Sequence, residues 1–312
     1  MMARMASRNL VLLAKACFDR GVAHFQKREW AKAIAALTDA IRHEPEHWKA
    51  HYYRGRAHAA AGNFTAAVAD FTAAIERAPD SPAAYNDRGI ARVSLGQFAV
   101  AIADFDAALA RGPDSASTYF NRGSARLNAG DVAAAISDYG EAIRCDGRQT
   151  RFFVFRGVAR QLGGDPAAAL LDFDEAVRLT PSDAALLARR GRLHQALGRY
   201  SRAVADLREA IKLRPDDARY HNELAWLLAT CADDQIRDPA AALSLAERAC
   251  ELSGGTDVVI LDTRAVAHAA CRDFAAAVRW VETALVIAGP DVNAVLRERL
   301  ALFRLGKPYR DG

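Results

Sequence analysis

Residues 48–81, WKAHYYRGRAHAAAGNFTAAVADFTAAIERAPDS, give the clearest indication of the fold of this chain of 312 residues. The next 34 residues, PAAYNDRGIARVSLGQFAVAIADFDAALARGPDS at 82–115, repeat the same order of small, aromatic, glycine and proline positions. Self-similarity at a fixed step of this length is the sequence signature of a repeat architecture. The chain is therefore predicted to stack similar units rather than to fold as two separate globules.

Each unit is predicted to be a pair of helices. Apolar residues lie three and four apart, as at Ala67, Phe71 and Ala74, which indicates an amphipathic helix. A glycine in the middle of the unit, here Gly62, is expected to end the first helix in a left-handed conformation. Pro79 then ends the second helix, because proline has no amide donor and clashes with the preceding turn.

Small residues recur every 34 residues along the chain and form a column. Its glycines are Gly21, Gly55, Gly89, Gly123, Gly157 and Gly191. Small side chains let neighbouring helices approach closely, while a column of aromatic residues fills the larger holes. The aromatic column comprises Phe71, Phe105, Tyr139 and Phe173.

This pattern resembles the tetratricopeptide repeat over nearly the whole chain. The resemblance implies an all-α, right-handed superhelical solenoid of antiparallel helix pairs, with about eight repeats and a C-terminal capping helix. The expected repeats span 14–47, 48–81, 82–115, 116–149, 150–183, 184–217, 218–257 and 258–290, and the capping helix spans 291–305. The seventh repeat carries a loop insertion from Cys231 to Asp238.

An arginine precedes each glycine of the column, and most second helices carry an aspartate. The arginines are Arg20, Arg54, Arg88, Arg122, Arg156 and Arg190, and the aspartates are Asp70, Asp104, Asp138, Asp172 and Asp206. The first unit has Ala36 at the aspartate position. These arginines could form a row of cations for an acidic ligand, but the matched columns favour ion pairs between adjacent helices.

Composition and motifs give no indication of catalysis. The formal charge of +4 is too small to make nucleic-acid binding the default expectation. The five scattered cysteines indicate neither a disulfide framework nor a thiolate metal site, and they fit a reducing, cytoplasmic location. The apolar run Leu10 to Ala14 is too short for a signal peptide, and no segment is expected to span a membrane. No enzyme activity and no cofactor is predicted.

One short motif resembles a metalloprotease site. Residues 43–47, HEPEH, match the H-E-x-x-H pattern, which needs both imidazoles one turn apart on a continuous helix. Pro45 stands inside the motif and should break that helix. A metalloenzyme is therefore the weakest hypothesis for this chain.

The resemblance places the ligand in a concave groove lined by the first helix of each repeat. We call the positions six and three before, and one and four after, the glycine column the first-helix face. The residues predicted to bind a peptide there are Lys15, Phe18, Lys49, Tyr52, Arg56, Asn86, Phe120, Ser124, Arg151, Arg192, Arg219, Asn222 and Trp226. Basic and aromatic residues alternate in this set, and Asp262 is the one acid found on these positions.

The face therefore predicts a protein–protein interaction scaffold that binds a protein or peptide, and its basic residues favour an acidic one. The alternative is nucleic-acid binding, in which aromatic residues stack on bases and arginines neutralise phosphates. Some family members hold the C-terminal carboxylate of chaperones with a lysine three before the glycine and an asparagine one after it. No repeat here has that pair, so chaperone-tail capture is not expected.

Overall fold

The protein is an all-α repeat solenoid. The computed structural model describes residues 2–112, 115–289 and 294–310, and for residues 2–8 it describes the backbone only. Within these residues there are helices and connecting turns but no strands. The chain forms two compact units, Met1–Asp165 and Pro166–Gly312. The prediction that all repeats form one continuous solenoid stays a prediction.

The described residues of the N-terminal unit form nine helices. They are α1 (Met2–Gln26), α2 (Trp30–His43), α3 (Trp48–Ala60), α4 (Phe64–Arg77), α5 (Pro82–Ser94), α6 (Phe98–Arg111), α7 (Ala116–Asn128), α8 (Val132–Cys145) and α9 (Thr150–Leu162). Helix α1 begins before the predicted start of the first repeat, and the side chains of residues 10–13 on it are about half exposed.

The C-terminal unit contains eight described helices. They are α10 (Pro166–Leu179), α11 (Ala184–Ala196), α12 (Tyr200–Leu213), α13 (Ala218–Thr230), α14 (Pro239–Leu252), α15 (Val258–Ala270), α16 (Phe274–Ala288) and α17 (Ala294–Arg304). Helix α17 packs on α16 and buries Leu296 and Phe303. The first residues of the predicted capping helix, 291–293, lie outside the described residues.

Glycine geometry explains both the turns and the tight pairing of helices. Gly62 has a φ of +81°, a conformation that residues with a side chain rarely adopt, so it ends α3 as predicted. Gly89 faces the buried Phe105, and a Cβ added at Gly89 would lie 2.7 Å from Phe105 Cε1. At Gly55, Gly89 and Gly123 the aromatic column thus occupies the space that a side chain would need.

The arginine and aspartate columns form ion pairs between the two helices of a pair, as predicted. The distances between Nη2 and Oδ1 are 2.6 Å for Arg54–Asp70, 2.7 Å for Arg88–Asp104, 2.6 Å for Arg122–Asp138 and 2.6 Å for Arg190–Asp206. Each of these carboxylates is almost fully buried, so the pairs belong to the scaffold. Without an aspartate at position 36, Arg20 lies 3.5 Å from Asp39 instead.

Candidate binding sites on the first-helix face

The first helices of the N-terminal unit lie side by side, since α3 contacts α1 and α5, and α5 contacts α7. The predicted site residues of this unit are distributed over these helices and α9. Lys15 and Phe18 lie on α1, Lys49, Tyr52 and Arg56 on α3, Asn86 on α5, Phe120 and Ser124 on α7, and Arg151 on α9. Six of them form two clusters with different chemistry, and Lys15, Phe18 and Lys49 lie outside both.

The first cluster surrounds Arg56. Its Cζ lies 5.0 Å from the centre of the Phe25 ring and 5.7 Å from the centres of the Tyr52 and Tyr53 rings. Its Nε lies 3.8 Å from Oδ2 of Asp87 on the next first helix. Aromatic faces attract a guanidinium through their quadrupole, and the carboxylate adds charge pairing. Arg56 is therefore engaged within the protein.

Asp87 also organises the polar groups beside Arg56. It accepts a 2.8 Å hydrogen bond from the hydroxyl of Tyr52 and a 3.1 Å hydrogen bond from Nδ2 of Asn86. Asn121 in turn donates from Nδ2 to Oδ1 of Asn86 at 3.1 Å. Burial, reinforced by the Asp87 charge, raises the pKa of Tyr52, so this hydroxyl stays a donor. The chain of hydrogen bonds links α3, α5 and α7.

The second cluster surrounds Phe120. Its ring centre lies 5.3 Å from that of Phe152 and 4.9 Å from that of the exposed Phe155. The guanidinium of Arg151 lies 4.9 Å from the Phe120 ring centre and is exposed to solvent. Ser124 is used internally, because its hydroxyl donates to the Phe120 carbonyl and accepts from the Tyr139 hydroxyl. Arg151 is thus the accessible cation of this cluster.

The remaining predicted residues of this unit differ in exposure. The Phe18 ring packs 4.8 Å from His47 and 5.7 Å from Tyr53, centre to centre, and is partly buried. Lys15 and Lys49 are exposed, and the ammonium of Lys49 lies 5.6 Å from the ring centre of Trp48. These two lysines can therefore reach a ligand from solvent.

The C-terminal unit has a pocket of about 350 Å³ on its first-helix face. Its walls come from α11, α13, α15 and α17, and they include Arg192, Asn222, Glu223, Trp226, Asp262 and Arg299. The sequence predicted three of these residues as ligand contacts and recognised Asp262 as the acid on the same face. The structure brings all four to one place.

Two ion pairs line this pocket. Nη1 of Arg192, which is half exposed, lies 2.6 Å from Oε1 of Glu223. Arg299 of α17 pairs with Asp262, and both side chains are nearly buried. Burial raises the pKa of Glu223, although the Arg192 charge opposes this effect. The pocket is therefore formally neutral rather than basic.

The expectation of one acid on this face is incomplete. Asp87 and Glu223 both stand two residues before the small-residue column, which continues at Ala225, and this position lies outside the first-helix face as defined above. Each pairs with an arginine that was predicted to contact the ligand, Asp87 with Arg56 and Glu223 with Arg192. The recurrence of acids in this column is the signal that could have located them.

Arg219 does not line the pocket. It lies in the first turn of α13, where its Nη2 is 2.6 Å from Oδ2 of Asp217, the N-cap residue of the same helix. That hydrogen bond raises the pKa of the Arg219 guanidinium. Arg219 therefore belongs to the cap of α13, separate from the three predicted contact residues that line the pocket.

Comparisons with known proteins decide the family. The model described as tetratricopeptide repeat matches residues 18–82, 86–151 and 125–184, and the model described as TPR repeat matches residues 191–229. The chain belongs to the tetratricopeptide repeat family. No curated protein matches this tetratricopeptide repeat protein.

Solved structures share its fold. The C-terminal part of a TPR repeat-containing protein from Cytophaga hutchinsonii has a TM-score of 0.68 at 20% identity, covering 79% of this chain and 98% of the other. A tetratricopeptide repeat protein from Parabacteroides merdae has a TM-score of 0.56 at 15% identity over 94% and 99% of the two chains. YrrB, described as a TPR protein with an unusual peptide-binding site, has a TM-score of 0.50 at 20% identity over 58% and 93%.

The metalloprotease-like motif of this tetratricopeptide repeat protein is split between two helices. His43 is the last residue of α2, and His47 is the N-cap of α3, where Nδ1 accepts a hydrogen bond from the amide of Ala50. The two histidines therefore do not share a continuous helix, which the zinc-protease pattern requires. Among the described residues, no helix is both long and apolar enough to cross a membrane.

Proposed function

We propose that this tetratricopeptide repeat protein is a non-catalytic interaction scaffold that binds a peptide or protein segment on its first-helix face. The observation that carries the proposal is the pocket in the C-terminal unit, where Arg192, Asn222 and Trp226 meet at positions given by the repeat register. A concave site with an aromatic wall and a few convergent polar groups is typical of ligand recognition. YrrB supports peptide binding as a use of the same fold.

We also propose that acidic residues of the partner contact the N-terminal unit. Lys15, Lys49 and Arg151 are exposed there, and Lys49 and Arg151 lie beside aromatic rings. A partner segment could combine carboxylates with apolar anchors at such places. Arg56 contributes less to this attraction, because Asp87 and three aromatic rings already hold it.

Fluorescence anisotropy with labelled peptide pools of acidic, neutral and basic composition tests this function. The acidic pool should bind, and added salt should weaken the binding since the lysines are exposed. Lys49→Glu should reduce affinity about threefold to tenfold, the range of a charge reversal at an exposed contact. Lys32→Glu is the matched control, because Lys32 is an exposed lysine on the second helix α2.

The outcomes separate the candidate functions. Retention of no peptide pool by the wild-type chain would remove the proposal, and retention of single-stranded RNA alone would replace it with nucleic-acid binding. An equal loss of affinity in Lys49→Glu and Lys32→Glu would mean that the first-helix face of the N-terminal unit is not the contact surface.

A further inference from the structure

In the pocket of the C-terminal unit, more hydrogen-bond acceptors than donors lack a partner. Oδ1 of Asn222, Oε2 of Glu223 and Oδ1 of Asp262 are buried and have no hydrogen-bond partner within the described part of the chain. The donor in the same condition in this pocket is Nε of Arg299. Polar atoms that are buried without partners destabilise the protein, so a ligand that supplies partners gains affinity.

The two ion pairs of the pocket leave these acceptors unfilled. Arg192 uses Oε1 of Glu223, and Arg299 uses Oδ2 of Asp262, so each carboxylate engages one oxygen. The formal charges of these four side chains cancel. Unfilled acceptors therefore favour a ligand group that donates several hydrogen bonds.

The walls already hold one guanidinium. Cζ of Arg299 lies 4.7 Å from the ring centre of Trp226 and 4.7 Å from that of Tyr309, and the guanidinium pairs with Asp262. Aromatic faces combined with a carboxylate are the surroundings that a guanidinium prefers. The chemistry of the pocket wall therefore suits a cationic, planar donor.

We propose that this pocket binds the side chain of an arginine in the partner peptide. Once the half-exposed Arg192 side chain moves aside, the guanidinium would donate N–H groups to the buried Oε2 of Glu223 and Oδ1 of Asp262, with Asn222 as a third acceptor. Arginine carries five donors in a planar fork and no acceptor, which matches acceptors spread over the two helices α13 and α15. The inference rests on the proposed peptide-binding function and names the ligand chemistry of one of its sites.

Arg192 distinguishes this proposal from binding of an acidic side chain. It lies at the exposed rim of the pocket and neutralises Glu223. Its removal would increase the negative charge available to a bound arginine but would remove the cation that attracts a carboxylate. The variant Arg192→Ala therefore shifts affinity in opposite directions for the two ligands.

The test uses the full chain and peptide pools that are identical except for one fixed position, which is Arg, Lys, Gln or Glu. Anisotropy should show the Arg pool binding about tenfold more tightly than the Gln or Glu pools, as expected for charge-assisted hydrogen bonds to a buried carboxylate. Lysine should be intermediate, because its ammonium lacks the planar fork.

Three variants then locate the site. Glu223→Gln should weaken binding of the Arg pool about tenfold, and Arg192→Ala should strengthen it about threefold, magnitudes that follow from a charge-assisted hydrogen bond and a nearby cation. Glu209→Gln is the control, because Glu209 is an exposed carboxylate on the second helix α12. Glu223→Gln conserves shape, and its unfolding temperature identifies any loss of affinity that comes from misfolding.

Each result is decisive. Equal affinity for the Arg and Gln pools, preference for the Glu pool, or weaker Arg-pool binding by Arg192→Ala would each overturn the arginine assignment while leaving the scaffold function intact. Binding of no pool by the wild-type chain would overturn both.

Discussion

The helix pairs α7/α8 and α11/α12 each bury an aspartate, but they surround it with different partners. In α7/α8, Asp138 has a side chain that is 2% exposed and accepts hydrogen bonds from two arginines, Arg122 and Arg126. In α11/α12, Asp206 is 8% exposed and is held by Arg190 at 2.6 Å. The position equivalent to Arg126 is occupied by His194, which is 3% exposed.

Burial keeps this histidine uncharged. Desolvation lowers the pKa of His194 and the Arg190 charge lowers it further, whereas the Asp206 charge opposes both. Equivalent positions in the repeat therefore hold a second cation, Arg126, in one helix pair and a neutral imidazole, His194, in the other. The comparison teaches that a regular column in the sequence does not imply equal contributions from its members to stability.

Removal of the best-enclosed carboxylate should have the largest effect. Asp138→Ala removes the carboxylate that two partly buried guanidinium groups share, and Arg122 keeps Asp106 at 2.6 Å as a partner, so the free energy of unfolding should fall by about 3 kcal/mol. Asp206→Ala should cost less, since one arginine loses a partner there. Urea denaturation followed by circular dichroism measures both. An unchanged unfolding temperature for Asp138→Ala together with lost peptide binding would assign the column to ligand binding.

Glycine substitutions should give an intermediate effect. A Cβ at Gly89 would lie 2.7 Å from the fully buried Phe105, whereas at Gly191 in α11 the nearest side-chain atom, Cβ of Asp206, would lie 3.3 Å away. Gly89→Ala should therefore lower the free energy of unfolding by about 1–3 kcal/mol through overpacking. Gly191→Ala should cost less, because the better helix propensity of alanine offsets a milder contact. The reverse order would show that the Phe105 ring can move aside.

The pH dependence of stability should show the smallest effect. Because the pKa of His194 is lower in the folded chain than in the unfolded chain, its contribution is complete above about pH 6.5 and is lost as the pH falls toward the folded value. One such proton changes stability by at most about 1.4 kcal/mol per pH unit. His194→Gln should reduce the slope between pH 7.5 and pH 5 in urea titrations.

Some of the change in unfolding free energy with pH should remain in His194→Gln. Burial also lowers the pKa of His268 on α15, so this second histidine has the same sign of pH dependence. A double variant with His268→Gln should flatten the curve further. A slope identical to that of the wild-type chain in the double variant would show that neither imidazole is neutral because of folding.

The turns show how far local sequence specifies local structure. Gly62 and Gly198 were expected to be left-handed and have φ values of +81° and +69°. Arg28 and Arg272 adopt the same region, with φ values of 59° and 66°, although neither is glycine. Their residue type does not mark the turn, but their place in the repeat does, because Arg28 stands 34 residues before Gly62 and Arg272 stands two residues before Phe274, as Gly62 does before Phe64. Packing of the helices on each side imposes the turn and offsets its conformational cost.

The candidate site shows a similar limit. The register placed Arg192, Asn222, Trp226 and Asp262 on one face, and they line one pocket. It did not include Glu223 or Arg299, which complete the ion pairs of that pocket. Glu223 stands one position outside the selected columns, and Arg299 comes from the capping helix, where the repeat period no longer applies.

The helix pairs, the turns at glycine and the ion pairs between the arginine and aspartate columns follow from the sequence alone. These depend on spacing along one or two adjacent helices, and the repeat period states that spacing directly. Tertiary structure alone decided which cations remain available to a ligand. Arg56 and Arg192 are partly exposed but pair with carboxylates of neighbouring repeats, whereas the exposed Lys49 lies beside Trp48, because charge pairing depends on distances of a few ångströms between side chains from different helices.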